Sequence, residues 1–255
     1  RADGVSLSKK LGGERTVVPV GVSVGLKKTD EELHEQVQSY IDDGYARVKI
    51  KIKPGRDIEM LASLRERFPD QLFMADANSA YTLADVDRLR ELDPLDLMMI
   101  EQPLSYDDLF DHARLQEQIE TPVCLDESIK SHGDLKLALH LKSGRIVNLK
   151  PGRVGGHTVS RQIHDTMVEA DLPLWCGGML ESGVGRAHNV ALASLPGFTL
   201  PGDISASQRY WHRDIVSPEF EVADGVMKVP TGPGLGVELD LDRIHGLTVR
   251  EESFG

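Results

Sequence analysis

Between Tyr45 and Gly55 the chain alternates with a period of two. Arg47, Lys49, Lys51 and Lys53 take every second position, and Ala46, Val48, Ile50 and Ile52 sit between them. In a strand this places the two sets on opposite faces. The stretch therefore predicts a strand with one apolar face and one face of four cations. Upstream, "VPVGVSVGL" (residues 18–26) predicts a strand. "TDEELHEQVQSYIDDG" predicts a helix, capped by Thr29 or Asp30 and carrying an apolar stripe of Leu33, Val37, Tyr40 and Ile41. Gly44 ends it.

The same unit recurs down the chain. "ARVKIKI" precedes a helix with Ile58, Leu61, Leu64 and Phe68 on one side, and "QLFMAD" precedes one with Leu83, Val86 and Leu89. "LDLMMIE", "TPVCLD", "GRIVNLK" and "LPLWCGG" precede helices starting near Tyr106, Ser131, Gly156 and Gly185. A last short strand is expected at "GFTLPGD". Such alternation implies right-handed βαβ units and a parallel sheet. Eight strands favour closure into an α/β barrel of (β/α)7β type. The alternative, an open doubly wound sheet, lacks a glycine-rich dinucleotide fingerprint after the first strand. After Tyr210 the rhythm breaks, and "DGVMKVPTGPGLGVELD" predicts a hairpin or an extended return path. The barrel is expected over residues 16–210 and the tail over 211–255.

The strand ends carry the chemistry. Lys51, Asp76, Glu101, Asp126 and Lys150 follow one another at spacings of 25, 25, 25 and 24 residues. One βα unit has about this length, so five consecutive strands end in an ionisable group. A parallel barrel gathers those ends at one mouth, where active sites are built. Parity agrees, since Asp76 shares a face with Met74 and Leu72, Glu101 with Met99 and Leu97, and Lys150 with Asn148. Phe73, Ala75, Met98, Ile100, Val147 and Leu149 would then pack under the helices. A single acid after a strand is commonly a helix cap, but three in register on adjacent strands are poorly explained that way. Three converging carboxylates make a hard oxygen site suited to Mg²⁺ or Mn²⁺. No His or Cys joins them, which disfavours Zn²⁺. Lys51 and Lys150 would face each other across a ligand. A carboxylate substrate could lose its α proton to one of them while the cation steadies the resulting charge. A lysine base must be neutral, and its free pKa is about 10.4. Lys49, the cation and limited water would lower that of Lys51. Arg47 lies deepest and needs a buried partner, whereas Lys53 belongs at the rim.

Bulk properties narrow the rest. The net charge of −12, from 41 acidic and 29 basic residues, argues against non-specific nucleic-acid or membrane binding. No apolar run reaches membrane-spanning length and no leader-like segment opens the chain. Cys124 and Cys176 read as buried free thiols, which fits a reducing cytoplasm. The nine histidines read as surface or packing residues, because none ends a strand. The chain opens on Arg1, consistent with a fragment, a processed form or the ordered part of a longer protein.

At "KIK" (49–51), "DAN" (76–78), "EQP" (101–103), "DES" (126–128) and "NLKPGRVGG" (148–156) the sequence resembles the enolase superfamily, muconate-lactonizing subgroup. "WCGGMLESGVGRAHNVALASLPGFTLPGD" (175–203) is most similar to the branch of o-succinylbenzoate synthases and N-succinyl/N-acylamino acid racemases. The resemblance implies Asp76, Glu101 and Asp126 as Mg²⁺ ligands, Lys51 and Lys150 as the acid/base pair, and Lys49 as helper to Lys51. It implies abstraction of a proton α to a carboxylate, giving an enediolate. The expected activity is a carbon–oxygen lyase, dehydrating a cyclohexadiene carboxylate to o-succinylbenzoate in menaquinone synthesis. Alternatives are an N-succinylamino acid racemase, a muconate-type cycloisomerase, and a non-catalytic barrel that binds a carboxylate. A homo-oligomer is expected. Asn78, Gly177, Gly178, Met179 and Ser182 are candidate substrate contacts, with Glu181 alongside, although the glycines also suit a plain strand-to-helix turn. Asp203 is followed by Ile204 and Ser205, so the D-x-D of dipeptide epimerases is absent. "GRVGG" is expected to start a helix behind Lys150. The family's N-terminal α+β capping domain is not seen here, so residues 1–15 would be its remnant or linker. This piece alone would then have an open, wet site and poor activity.

Overall fold

The alternating cationic stretch is the second strand of a seven-stranded parallel sheet bonded in chain order. Its members are β1 (Gly21–Val24), β2 (Arg47–Lys51), β3 (Leu72–Asp76), β4 (Ile100–Glu101), β5 (Val123–Leu125), β6 (Ile146–Leu149) and β7 (Leu174–Cys176). The computed structural model describes residues 2–253. Helices follow the strands: α1 (Asp30–Asp42), α2 (Ile58–Arg67), α3 (Val86–Arg90), α4 (Phe110–Gln116), α5 (His132–Leu141), α6 (His157–Glu169) and α7 (Gly183–Ala193). Local chemistry sets their ends. Thr29 Oγ1 accepts the amide of Glu32 at 3.2 Å to open α1, and Gly44, at φ +82°, releases the chain after it. Leu33, Val37 and Tyr40 are the buried stripe of α1.

Closure comes from the segment expected at "GFTLPGD". Phe198 bridges Leu174 of β7, and Gly202 bridges Val20, both in parallel. The amide of Gly21 donates to Gly202 O at 2.7 Å, and that of Asp203 to Cys176 O at 2.9 Å. Residues 198–203 therefore fill the eighth place of the ring. They bond at single residues rather than as a ladder, as befits a stretch in which Pro201 has no amide to donate.

Side chains sort into two layers. The outward residues Val48, Ile50, Phe73, Ala75, Ile100 and Leu149 join the main core under the helices. Met74, Met99, Cys124, Ile146 and Trp175 form a separate inner plug. Burying each Val, Ile, Leu, Phe or Met among them contributes roughly 1.5–3 kcal/mol. The Trp175 indole N–H donates to Cys124 Sγ at 3.3 Å. Both cysteines are buried free thiols, and burial pushes both up in pKa.

Three expectations need correction. The single strand over residues 18–26 is split at Val20. Val17–Pro19 pairs antiparallel with Val226–Lys228 of the tail, and only Gly21–Val24 enters the barrel. The expected parity fails in front of β4: Leu97 joins the outer core, and Met98 packs on the inner plug. That strand is two residues long, so its alternation does not reach back that far. Leu72, at the lower end of β3, is 47% exposed. Beyond Tyr210 the tail takes the extended path, pairs Glu238–Leu239 with Val216–Ser217, and ends in an unforeseen helix, Leu241–Leu247. Among the described residues no helix is long and apolar enough to cross a membrane.

Candidate functional site

Register delivers the ionisable strand ends to one level. Lys51 lies opposite Asp76 across the β2–β3 pair, and Asp76 opposite Glu101 across β3–β4. Strands β2 and β6 hold the second and sixth of eight places, so Lys51 and Lys150 approach from opposite sides of the mouth. A cavity of about 290 Å³ lies there, lined among others by Lys51, Asp76, Asn78, Asp126 and Lys150. Lys51 has a side chain 38% exposed, with Nζ 3.3 Å from Asp76 Oδ2, and also donates to Asn78 Oδ1. Lys150, 19% exposed, places Nζ 2.8 Å from Asp126 Oδ2. These two ammonium groups are the solvent-reaching cations that line the mouth.

Below them the charges are locked. Asp76, Glu101 and Asp126 are almost fully buried. Lys49 is buried among them, its Nζ 2.9 Å from Glu101 Oε2, 3.4 Å from Asp76 Oδ2 and 2.8 Å from Asp203 Oδ2. Burial alone would lower Lys49, but Asp203, Glu101 and Asp76 outweigh it and hold its pKa well above the usual lysine range. Lys49 is thus a fixed positive charge that neutralises the carboxylates. Burial pushes Glu101 up to about 8, with Asp76, Asp126 and Asp203 adding to it against the pull of Lys49. For Asp126, burial is overcome by Arg153 and Lys150, and its pKa falls below the ordinary value.

Arg47 finds its buried partner in Asp203. Its guanidinium donates to Asp203 Oδ1 at 2.8 Å and to Pro201 O at 2.9 Å, and stands 5.2 Å from the Trp175 ring centroid. Asp203 thus joins the closing segment to the cationic face of β2, a role that the missing D-x-D pattern had obscured. Arg153 is a second residue the sequence reading passed over. It lies in a four-residue helix, Pro151–Val154, and donates to Asp126 Oδ1, Ile129 O and Asn148 O. Glu127 also lines the cavity. Lys53 is exposed at the rim, as expected.

The remaining candidates divide. Asn78, Gly178 and Met179 line the cavity. Gly177 lies behind Lys150: a Cβ there would stand 2.0 Å from Asn148 Oδ1 and 2.7 Å from Lys150 Cε. Ser182 precedes α7 and opens instead onto a different cavity, beside Trp211 and Ile244. Glu181 turns back to accept from the Met179 amide at 2.7 Å and from Asn189 at 3.0 Å. Replacing Gly177 by alanine should displace Lys150. Turnover is expected to fall about 100-fold or more, with the thermal midpoint lowered by only a few degrees. Steady-state kinetics and a melting curve on one preparation check it.

The donor set suits a divalent cation. Asp76, Glu101 and Asp126 end three adjacent strands and offer only hard oxygens. Glu101, raised first by burial and then by its acidic neighbours, is a group that a cation would relieve. Asn148 donates to Glu101 Oε1 at 2.5 Å, while its own Oδ1 is buried with no hydrogen-bond donor among the described residues. Among the described residues no three acidic, imidazole or thiol groups stand as a ready-made ligand cage. The carboxylates are turned instead to Lys49, Lys51, Lys150 and Arg153.

Comparison with known proteins matches this geometry. An o-succinylbenzoate synthase from Geobacillus kaustophilus is 53% identical over 245 residues, which is 96% of this chain and 65% of that protein. An N-succinylamino acid racemase from Thermus thermophilus is 50% identical, over 98% of this chain and 68% of that protein. The chain therefore spans about 65% of the length of the synthases it matches. A solved enolase-superfamily structure from Listeria innocua superposes with a TM-score of 0.93 at 48% identity, over 96% of this chain and 66% of that one. A racemase from Streptomyces coelicolor, solved with bound magnesium, gives 0.85 at 26%, over 97% of this chain and 68% of that one. The model of the family described as "Enolase C-terminal domain-like" matches residues 32–243. By strand order, mouth chemistry and sequence together, the chain belongs to the enolase C-terminal domain-like family.

Proposed function

We propose that this chain carries the acid–base site of an o-succinylbenzoate synthase, which removes the proton α to a carboxylate and then expels hydroxide from a cyclohexadiene ring. The observation that carries this reading is the placement of Lys51 and Lys150 on opposite sides of one cavity above three buried carboxylates. Asp76, Glu101 and Asp126 would hold Mg²⁺, with Mn²⁺ as a substitute. When bound, that ion supplies electrostatic stabilisation of the charge building on the substrate carboxylate.

The chain's own residues do the rest. One of the two lysines, as free amine, takes the α proton and becomes an ammonium. The same ammonium then returns a proton to the departing hydroxide, which leaves as water. The opposite ammonium stays protonated and steadies the negative charge on the ring. Lys49 stays protonated throughout, a fixed positive charge 2.9 Å from Glu101 and 3.4 Å from Asp76.

A second reading has support from the same pair. If one lysine removes the α proton of an N-succinylamino acid and the other returns it from the far side, the product is the mirror-image acid. The 50% identity to a racemase of that type favours keeping it. Turnover of the two substrates, measured side by side on one preparation, ranks the readings. The two unpaired, buried thiols suit a reducing cytoplasm.

Chelation tests the cation. Stripping divalent ions with EDTA is expected to abolish turnover, and either Mg²⁺ or Mn²⁺ should restore it. Full activity after exhaustive chelation would remove the cation from the proposal.

A further inference from the structure

We infer that Gln102 is a positioning residue that sets divalent-cation affinity by holding the ends of β3, β4 and β5 in one frame; the inference rests on the cation-assisted reading above. Gln102 is fully buried and does not line the mouth cavity, so it acts through other groups. Its φ of +39° is rare for a side chain of this kind. Such backbone persists only where the surroundings over-determine it, and here they do.

Its main chain ties two neighbours. The amide donates to Cys124 O of β5 at 2.9 Å, and the carbonyl accepts the amide of Ser79, just past Asp76, at 2.8 Å. Its side chain ties the third carboxylate. Oε1 accepts the amide of Asp126 at 2.9 Å and that of Ser128 at 3.4 Å. Nε2 donates to Ser128 Oγ at 2.7 Å and Ser105 O at 3.0 Å. Ser128 Oγ passes its own proton to Asp108 O at 2.8 Å. Asp108 in turn holds the buried His112, whose Nε2 accepts the Leu104 amide at 3.1 Å. Gln102 therefore links Asp76, Glu101 and Asp126 through a relay of neutral bonds that never enters the cavity. Groups of this kind, one step behind ligands, typically change metal affinity 10–100-fold when removed.

The test is a Mn²⁺ binding isotherm followed by electron paramagnetic resonance, which reads the ion and not turnover. Gln102→Met keeps the volume and loses every side-chain bond. It is expected to weaken Mn²⁺ about 10–100-fold. Ser128→Ala removes one partner of the relay and should weaken it by a smaller factor. The double variant should lose less than the product of the two single losses, because both act on one network. Arg65→Ala is the control. It breaks bonds to Leu95, Pro69, Gln71 and Asp96 carbonyls at the far end of the barrel, and should leave Mn²⁺ affinity unchanged. A folded Gln102→Met that binds Mn²⁺ like the wild type, or Arg65→Ala weakening it equally, overturns the inference. If Gln102→Met does not fold, Ser128→Ala decides, and an unchanged isotherm overturns the inference. A wild type that binds no Mn²⁺ overturns the cation reading itself, and the inference with it.

Discussion

Lys51→Ala and Lys150→Ala are each expected to lower turnover by about 10³-fold or more, with the fold intact. Each removes a proton carrier, and positioned acid–base groups contribute roughly 10²–10⁴-fold. A loss above the lower end is expected because each lysine has two tasks, proton transfer and charge stabilisation. Neither is a structural anchor, since both side chains reach the solvent-facing mouth. Their loss does uncover a carboxylate: Asp76 would keep Lys49 as partner and Asp126 would keep Arg153. Stability should therefore change little. Circular dichroism and melting curves beside the kinetics separate the two effects. For racemisation the two variants should be equally crippled. For dehydration the variant that lacks the proton-carrying lysine should be the slower one.

The second large effect is on stability. Asp203→Ala is expected to cost about 3–5 kcal/mol, the range for removing one partner of a buried ion pair. Arg47 is fully buried, and among the described residues its only ion-pair partner is Asp203. Lys49 would survive on Glu101 and Asp76, so the uncompensated charge is the guanidinium against Trp175. The loss also frees the closing segment, so the barrel seam between β7 and β1 should open first. Chemical denaturation measures the cost, and amide hydrogen exchange at residues 198–203 locates it.

Acid should reveal the same group. Burial would raise Asp203, but Lys49 and Arg47 hold it far below its ordinary value of 3.8. A carboxyl with a depressed folded pKa stabilises fully above its unfolded pKa, and that part is lost as pH falls through the folded one. The contribution of Asp203 should therefore be complete above about pH 5 and fade only in stronger acid. Asp203→Asn should flatten that part of the acid limb.

Much of the site was legible in the sequence because one βα unit repeats at nearly constant length. The rhythm from Lys51 to Lys150 needs no long-range contact to be seen, and parallel register then sets Lys51, Asp76 and Glu101 side by side. Inner and outer faces were legible wherever a strand was long enough to alternate, as in β2 and in β3 above its exposed first residue, Leu72. Before β4 they were not, since Leu97 and Met98 lie outside its two residues. The partner of Arg47 was hidden for another reason. Asp203 sits in a closing segment with Pro201 and Gly202 and no alternation, 156 residues from Arg47 in the chain. Gln102 was hidden because a left-handed backbone turn aims its side chain where no period points. Ser182 lines a different cavity because the chain leaves the mouth after Leu180.

Proton abstraction is the central claim, and solvent isotope exchange reads it most directly. The wild-type protein, loaded with Mg²⁺ and given an N-succinylamino acid in heavy water, should replace the α hydrogen by deuterium, seen as loss of the α-proton resonance. In Lys51→Ala and Lys150→Ala together that exchange should vanish. Exchange that persists in the double variant, or is absent from a wild type that racemises the same acid, would contradict the two-lysine site.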